Sequence, residues 1–182
     1  MRESTPKRKV HIDNRLFERI RKGEQDAFRE LYDASYKPLY AFLLSHTLNS
    51  EDAKDLLQDT YIQILKNCEK YQEQGNPMAW MMKIAKNLYL MKCRKEKETT
   101  INYEDLEHEM GFEVISNVDN RMVLEKMFEI LSVDDRKLIV LHDVSGMKHR
   151  EIAKLLGLPL GTVIARYNRG IRKLQKEFGE RL

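Results

Sequence analysis

The C-terminal part of the sequence contains residue types and spacings that are typical of a helix-turn-helix. The segment from His149 to Tyr167 is HREIAKLLGLPLGTVIARY. Gly157 suits the left-handed conformation that ends a first helix, and Pro159 suits the start of a second helix. A helix pair of this kind can also be a plain hairpin. The turn, the apolar anchors and the basic second helix together favour DNA binding.

The second helix of this pair combines an apolar face with a basic face. Val163 and Tyr167 anchor it, while the opposite face carries amide, hydroxyl and guanidinium groups. Arginine can recognise guanine in the major groove, and arginine or lysine can neutralise phosphates. We therefore predict that this helix contacts duplex DNA. The predicted contact residues are Thr162, Arg166, Asn168, Arg169, Arg172 and Lys173.

Helical periodicity extends through most of the chain, and no strand pattern competes with it. Ser50 and Ser132 are predicted to N-cap two of the helices. Asn76 and Pro77 together predict the start of another helix. Because proline breaks helix interiors, we place Pro38 in the first turn of a helix.

Charge is distributed unevenly, although the formal net charge is only +3. Two basic segments are separated by an acidic one, which indicates two anion-binding surfaces on a tether. Solvated lysine-rich helix faces are the alternative. We predict an all-α fold of two small helical domains joined by a flexible linker. The predicted segments are a disordered basic arm (1–12), a helical bundle (13–96), an acidic linker (97–117) and a helix-turn-helix domain (118–182).

The sequence lacks the patterns of a metalloprotein, a secreted protein or an enzyme. Cys68 and Cys93 are far apart and the five histidines are scattered, so no zinc site or disulfide framework is expected. We find no signal peptide and no apolar run that could span a bilayer. No glycine-rich phosphate loop and no nucleophile–base set stands out. We expect a cytoplasmic protein that is not an enzyme, is not inserted in a membrane and uses no metal or cofactor.

Two blocks of the sequence resemble the extracytoplasmic-function (ECF) sigma factors of the sigma-70 family, which serve bacterial RNA polymerase. The first block (26–95) includes AFRELY at 27–32 and EDAKDLLQDTY at 51–61. The second block (122–178) includes GTV at 161–163. They occur in the order of sigma domains two and four. The resemblance implies a factor that binds core polymerase, recognises promoters, opens the DNA and initiates transcription.

The resemblance also implies a role for each surface. An acidic helix face would dock on the clamp helices of the polymerase β′ subunit, although a solvated acidic face is the alternative. The core-binding residues would be Asp52, Asp55, Leu56, Gln58, Asp59 and Thr60. A loop and the helix after it would meet the downstream promoter element, where a base is held flipped out. Those contacts would come from Tyr71, Asn76, Lys83, Lys86, Asn87 and Lys92.

Aromatic residues near the downstream surface have different predicted roles. Tyr71, on the loop, is the candidate for stacking on a base, whereas Trp80 is predicted to belong to the core. The second domain would recognise the upstream promoter element as duplex, beside the flap of the β subunit. An anti-sigma partner is expected by analogy.

Three positions depart from the family pattern. Ile164 and Ala165 are apolar where the family usually has a basic residue and a serine. Lys148 stands where a capping serine or threonine is usual. The base-recognising set is therefore expected to depend on Arg166 and Arg169, and the promoter sequence of the family is not transferred.

Two other functions fit parts of the same sequence. A stand-alone helix-turn-helix regulator would bind DNA without polymerase, but we find neither a ligand pocket nor a receiver domain in the pattern. A sigma-like accessory protein would bind polymerase and need a helper, and the altered second helix keeps this alternative open. For a sigma factor, we expect the free chain to bind duplex promoter DNA poorly and core polymerase tightly.

Overall fold

The computed structural model describes residues 10–72, 75–99, 127 and 129–179. All regular secondary structure in these residues is helical, which confirms the predicted all-α class. The helices are α1 (Arg15–Arg21), α2 (Gln25–Thr47), α3 (Ser50–Asn67), α4 (Pro77–Thr99), α5 (Val133–Ile139), α6 (His149–Leu156) and α7 (Leu160–Phe178). A 3₁₀ turn at Cys68–Lys70 follows α3, and a π-helical turn at Val140–Val144 follows α5.

The N-terminal helices form a bundle around α2, which presents one long apolar face. Leu31, Phe42 and Leu43 are fully buried, and α3 and α4 pack against α2. α1 adds Phe17, whose ring stacks on Tyr71 with centroids 4.1 Å apart. Because each large apolar side chain contributes about 1.5–3 kcal/mol on burial, this face holds the bundle together.

Pro38 lies in the interior of α2, so its predicted place in the first turn of a helix is wrong. An internal proline removes a backbone hydrogen bond and costs about 3 kcal/mol or more. The apolar face nevertheless continues through this point, with Leu31, Leu39 and Pro38 all buried. Packing of that face against α3 and α4 outweighs the local cost of the proline.

The N-cap of α3 is Asn49 rather than Ser50, which corrects the prediction for this helix. Asn49 Oδ1 accepts hydrogen bonds from the backbone N–H groups of Glu51 and Asp52 at 2.9 and 3.2 Å. Ser50 is the first residue of the helix and is only 3% exposed. Asn49 therefore satisfies two of the N–H groups that the first turn of a helix leaves without a partner.

Other predicted helix boundaries are confirmed. Asn76 Oδ1 accepts the N–H of Met78 at 3.0 Å, and Pro77 begins α4. The side chain of Ser132 caps α5. Gly157 ends α6 with a φ of 69°, in the left-handed region that favours glycine.

The C-terminal helices are organised by the contact between α5 and α7. Leu131, Ile139 and Leu174 are buried together there. Gly170 allows a close approach, because a Cβ at this position would lie 2.9 Å from Ile139 Cδ1. α6 crosses α7 and buries Ile152. One face of α7 is therefore packed against α5 and α6.

The N-terminal module (α1 to α4) and the C-terminal module (α5 to α7) pack directly against each other. α2 contacts the π-helical turn and α5, and α4 contacts α6. Val140, Leu141 and Met147 of the C-terminal module are buried in the same apolar cluster as the core of the N-terminal bundle. The two modules therefore share a core in this conformation.

Two hydrogen bonds also connect the modules. The Asn76 side-chain N–H donates to Glu151 Oε1 at 2.9 Å, which joins the start of α4 to α6. Lys86 Nζ donates to the carbonyl oxygen of Leu155 at 2.6 Å. These directional contacts fix how α6 lies on α4.

The predicted domain boundaries stay predictions. Residues 1–9 of the expected arm, most of the expected linker (100–117) and the start of the second domain (118–126) lie outside the described residues. Ile12, which we expected in the arm, is 5% exposed and belongs to the core. α4 also continues to Thr99, beyond the expected start of the linker.

His46 lies where α2 meets α4 and α5. Its Nδ1–H donates to the carbonyl oxygen of Phe42 at 2.8 Å, and its ring packs edge-on against Tyr89 with centroids 4.8 Å apart. Burial, together with the positive charge of Lys137, lowers the pKa of His46 to about 3. The folded protein therefore holds this imidazole neutral.

We expect Asn49→Ala to lower the free energy of unfolding by about 1 kcal/mol, because two helix N–H groups lose their acceptor. Ser50→Ala is the matched control and should lower it by less than Asn49→Ala does, because the Ser50 side chain accepts neither of these two N–H groups. Chemical denaturation followed by circular dichroism compares the two. A larger loss for Ser50→Ala would assign the cap to Ser50.

Stability should fall with acidification because of His46. An unfolded histidine takes up a proton at about pH 6.5, whereas folded His46 does so only at about pH 3. The unfolded state gains protons first, so this residue should cost the fold about 2 kcal/mol between pH 7 and pH 5.

Denaturant unfolding at both pH values tests this expectation. His46→Asn retains an N–H donor near Phe42 and cannot titrate, so its stability should depend less on pH by that amount. An equal pH dependence in the two proteins would show that His46 is not the source.

Candidate nucleic-acid and protein interfaces

α7 has one buried face and one exposed face. Val163 and Gly170 are buried, and Thr162 is half-buried. Up to residue 173, the exposed positions are Gly161, Ile164, Ala165, Asn168, Arg169, Arg172 and Lys173. Lys173 Nζ lies 3.7 Å from Asp135 Oδ2. The structure thus brings most of the predicted DNA contacts of this helix to one surface, where their role stays a prediction.

Arg166 lies apart from the other predicted contacts of α7. Its NH1 atom is 2.8 Å from Asp134 Oδ2, and its side chain is 33% exposed. It lines a cleft between the two modules together with Lys86 and Tyr89. The sequence placed Arg166 and Arg169 on one face, whereas the structure separates them.

A cluster of histidines and tyrosine fixes the middle of α7. The Tyr167 hydroxyl donates to the Asp143 carboxylate, at 3.1 and 3.0 Å from its two oxygens. The rings of His142 and His149 stack 4.3 Å apart, and Tyr167 meets both edge-on. Burial raises the pKa of Tyr167 and lowers the pKa of His149. The sequence identified Tyr167 as an anchor but missed the histidines, because the turn after α5 brings them together.

The exposed acidic face of α3 is smaller than predicted. Asp55, Gln58 and Asp59 are exposed. Leu56 and Thr60 are 4% and 0% exposed, and the Thr60 hydroxyl donates to the Leu56 carbonyl at 2.6 Å. The prediction that these two residues contact core polymerase is therefore contradicted in this conformation, because neither side chain reaches the surface. They are four residues apart and share the helix face that is turned into the bundle.

An apolar groove adjoins this acidic face. Ile62 and Leu65 of α3 are 44% and 41% exposed. The groove beside them is lined in part by Phe28, Tyr32, Tyr36 and Tyr61. A mixed acidic and apolar surface of this kind can contact another protein.

Asp52 and Lys92 form an ion pair between α3 and α4. Both side chains are partly exposed, at 37% and 30%. The sequence assigned them to two different partners, Asp52 to polymerase and Lys92 to DNA. The structure shows that the two predicted surfaces meet at this pair.

Tyr71 lies on the loop after the 3₁₀ turn, as predicted, but its ring is buried, which contradicts its predicted role in stacking on a base. Its side chain is 4% exposed and stacks on Phe17. The hydroxyl donates to Asn14 Oδ1 at 2.5 Å. Trp80 packs edge-on against both rings and is half-buried, consistent with its predicted place in the core. A ring held in this way cannot stack on a base in this conformation.

The remaining predicted downstream contacts lie on α4 and at its start. Lys83 and Asn87 are exposed, and both line a groove beside Trp80. Asn76 and Lys86 are instead hydrogen-bonded to α6. The structure therefore leaves part of this surface open and covers part of it with the other module.

Comparisons with known proteins match both modules. The family profile for Sigma-70 region 2 matches residues 31–99, and that for Sigma-70, region 4 matches residues 121–174. The ECF RNA polymerase sigma-E factor of Escherichia coli strain K12 is 29% identical over 168 residues, with 85% of this chain and 87% of the relative covered. The ECF RNA polymerase sigma factor SigW of Bacillus subtilis is 26% identical over 172 residues, with 87% and 92% covered.

Solved structures show the same fold. CnrH in complex with the cytosolic domain of CnrY has a TM-score of 0.63 at 21% identity, with 93% of this chain and 99% of that chain covered. The sigma factor RpoE of Bartonella quintana, in complex with the anti-sigma factor NepR, has a TM-score of 0.61 at 23% identity, with 85% and 98% covered. Within the described ranges, no helix is long and apolar enough to cross a membrane.

Proposed function

This chain belongs to the sigma-70 family, as an ECF sigma factor of bacterial RNA polymerase, and we propose how its surfaces divide the work. The factor binds core polymerase and promoter DNA, and directs promoter-specific initiation without being an enzyme. We assign residues 13–96 to core binding and the downstream element, and residues 118–182 to the upstream element. The segregation of exposed charge supports this division, because α3 is acidic and α7 is basic.

The acidic face of α3 docks on the clamp helices of the β′ subunit. Asp55, Gln58 and Asp59 supply its exposed polar groups, and Ile62 and Leu65 extend it with apolar surface. Exposed apolar side chains beside charges favour a protein partner, since burial of the apolar part adds affinity and the charges add specificity.

The exposed part of α4 contacts the downstream promoter element through Lys83 and Asn87. Cations on this surface neutralise phosphates, while the groove beside Trp80 offers amide and apolar contacts to an unstacked base.

The second module lies beside the flap of the β subunit. The structural relatives CnrH and RpoE were solved with CnrY and NepR, so by analogy an anti-sigma partner restrains this factor in the cytoplasm.

The closed arrangement of the modules limits promoter binding by the free chain. Asn76 and Lys86 are engaged with α6, and Arg166 lies in the cleft between the modules. Separate promoter elements require each module to reach its own stretch of DNA. Core polymerase therefore binds the free chain tightly and separates the modules, whereas duplex promoter DNA alone binds it poorly.

Charge reversal on α3 should weaken core binding. We expect Asp55→Lys combined with Asp59→Lys to reduce affinity for core polymerase on the order of tenfold or more, because the charges that complement the clamp helices are inverted. Fluorescence anisotropy of the labelled factor measures the affinity, and run-off transcription from a cognate promoter measures the consequence.

The matched control is Glu18→Lys with Glu129→Lys, which makes the same change in net charge at exposed positions elsewhere. The control should bind and transcribe as the unmodified factor does. Unchanged core affinity in the Asp55 and Asp59 variant would show that α3 docks elsewhere. Promoter-specific binding without polymerase would instead indicate a stand-alone regulator.

Holding the modules together should block initiation. A cleavable bismaleimide joins Asn76→Cys to Glu151→Cys in a Cys93→Ser background. We expect this cross-link to reduce run-off transcripts on the order of tenfold, because coupling between distant sites typically changes affinity by about 5-fold to 150-fold. Cys68 is buried and does not compete for the reagent. The same protein after cleavage of the linker is the control and should regain its transcripts. Equal transcription before and after cleavage would rule out the separation step.

A further inference from the structure

The exposed side of α7 has two apolar residues and an amide where a DNA-contacting helix often has basic side chains. Building on the proposed function, we propose that α7 recognises A·T base pairs in the major groove of the upstream element. Ile164 and Ala165 contact the methyl groups of thymine. Asn168 forms a paired hydrogen bond with adenine.

The helical period determines which side chains can reach the groove. At about 100° per residue, Ile164, Ala165 and Asn168 share an arc about 100° wide. All three are exposed, Ile164 at 39%. Val163 and Gly170 are buried and point away from that arc. The three side chains therefore form the centre of the free surface in the first half of α7.

Arg166 is outside that arc. It is about 40° from Gly170 on the helix, close to the buried face. Its guanidinium is 2.8 Å from a carboxylate oxygen of Asp134. To recognise guanine, Arg166 would have to leave that carboxylate and reach around the helix. The sequence-based assignment of base recognition to Arg166 is therefore disfavoured.

Arg169 and Arg172 are exposed but less well placed for bases. Arg169 lies at the edge of the arc, and Arg172 lies two turns beyond Ile164 along the helix. Helix-turn-helix proteins contact base edges mainly with the N-terminal residues of the recognition helix. These two guanidinium groups suit the phosphates that flank the groove.

The chemistry of the arc matches A·T pairs. Aliphatic side chains such as those of Ile164 and Ala165 cannot hydrogen-bond to any base, but they pack against the C5 methyl group that thymine alone carries. The Asn168 amide has one acceptor and one donor group, which match N6–H and N7 of adenine. Spacing of four residues places Ile164 and Asn168 on neighbouring turns, within reach of neighbouring base pairs.

Gly161 supports a close approach of DNA to this arc. It lies on the same side of α7, and a Cβ added there would meet no atom within 4 Å. The fold does not require glycine at this position, although glycine in a helix costs about 1 kcal/mol relative to alanine. An open position without a side chain leaves room for the backbone of the duplex.

The first test is selection of promoters by the complete holoenzyme. A promoter library with a randomised upstream element is transcribed, and the transcribed templates are sequenced. We expect enrichment of at least two neighbouring A·T pairs. Enrichment of G·C pairs alone would overturn the inference and leave the proposed function intact. A library from which no sequence is enriched and no run-off transcript forms would overturn the proposed function itself.

The second test removes single atoms from the enriched DNA. Replacing each thymine by uracil deletes only the methyl group, and we expect a loss of holoenzyme binding of about fourfold at the contacted position. Ile164→Ala should weaken binding to thymine and abolish this sensitivity to uracil. Asn168→Ala should likewise lose sensitivity to 7-deazaadenine, which lacks N7.

Arg169→Ala is the control variant, because loss of a phosphate contact should weaken binding to all these templates alike and retain the sensitivity to uracil. Circular dichroism establishes that each variant is folded. Full sensitivity to uracil in Ile164→Ala, or no sensitivity in the unmodified holoenzyme, would overturn the assignment of Ile164. A loss of base preference in Arg166→Ala would return base recognition to Arg166.

Discussion

The apolar contact between the two modules determines which surfaces the free chain leaves exposed. Val140, Leu141 and Met147, which belong to the π-helical turn and the loop after it, are at most 1% exposed and join the core that is built around Phe42. Apolar burial sets the strength of this contact but not the orientation of one module on the other, because the hydrophobic effect has no preferred geometry. The hydrogen bonds between α4 and α6 determine that orientation. The contact resembles one inside a domain in its burial.

The helical period explains which charges are available to partners. A residue four positions from a buried anchor lies close to the same side of the helix, whatever its charge. This is why Thr60 is buried in α3 although Asp59 is exposed, and why Arg166 pairs with Asp134 while Arg169 faces outward. Net charge along the sequence therefore identifies the modules, but only the angle around each helix identifies the surface that a ligand meets.

The sequence predicted the helices well, since their apolar periodicity and capping residues are local signals. It failed at Pro38 and Tyr71, where tertiary contacts outweigh local rules, and at the start of α3, where two adjacent residues could both provide the cap. Pro38 is accommodated because its helix face is buried, and Asn49 takes the cap that Ser50 was expected to provide. Tyr71 was assigned to the DNA surface because the family resemblance implies that its loop meets the downstream promoter element, but α1 supplies the Phe17 ring that covers it. The exposure of Ile164 could have been predicted from the period of α7, because that signal lies in the sequence itself.

The bond between Asp52 and Lys92 has a thermodynamic consequence. Under the roles predicted from the sequence, polymerase would bind the Asp52 carboxylate and DNA would bind the Lys92 ammonium group, so each ligand would break the same interaction. The ligand that binds first supplies the free energy that breaks the ion pair, and the second ligand then binds a group that is no longer paired. The two affinities are thereby linked by equal and reciprocal factors. Because both side chains are partly exposed, the coupling free energy is small, within about 1 kcal/mol. Salt should weaken it further.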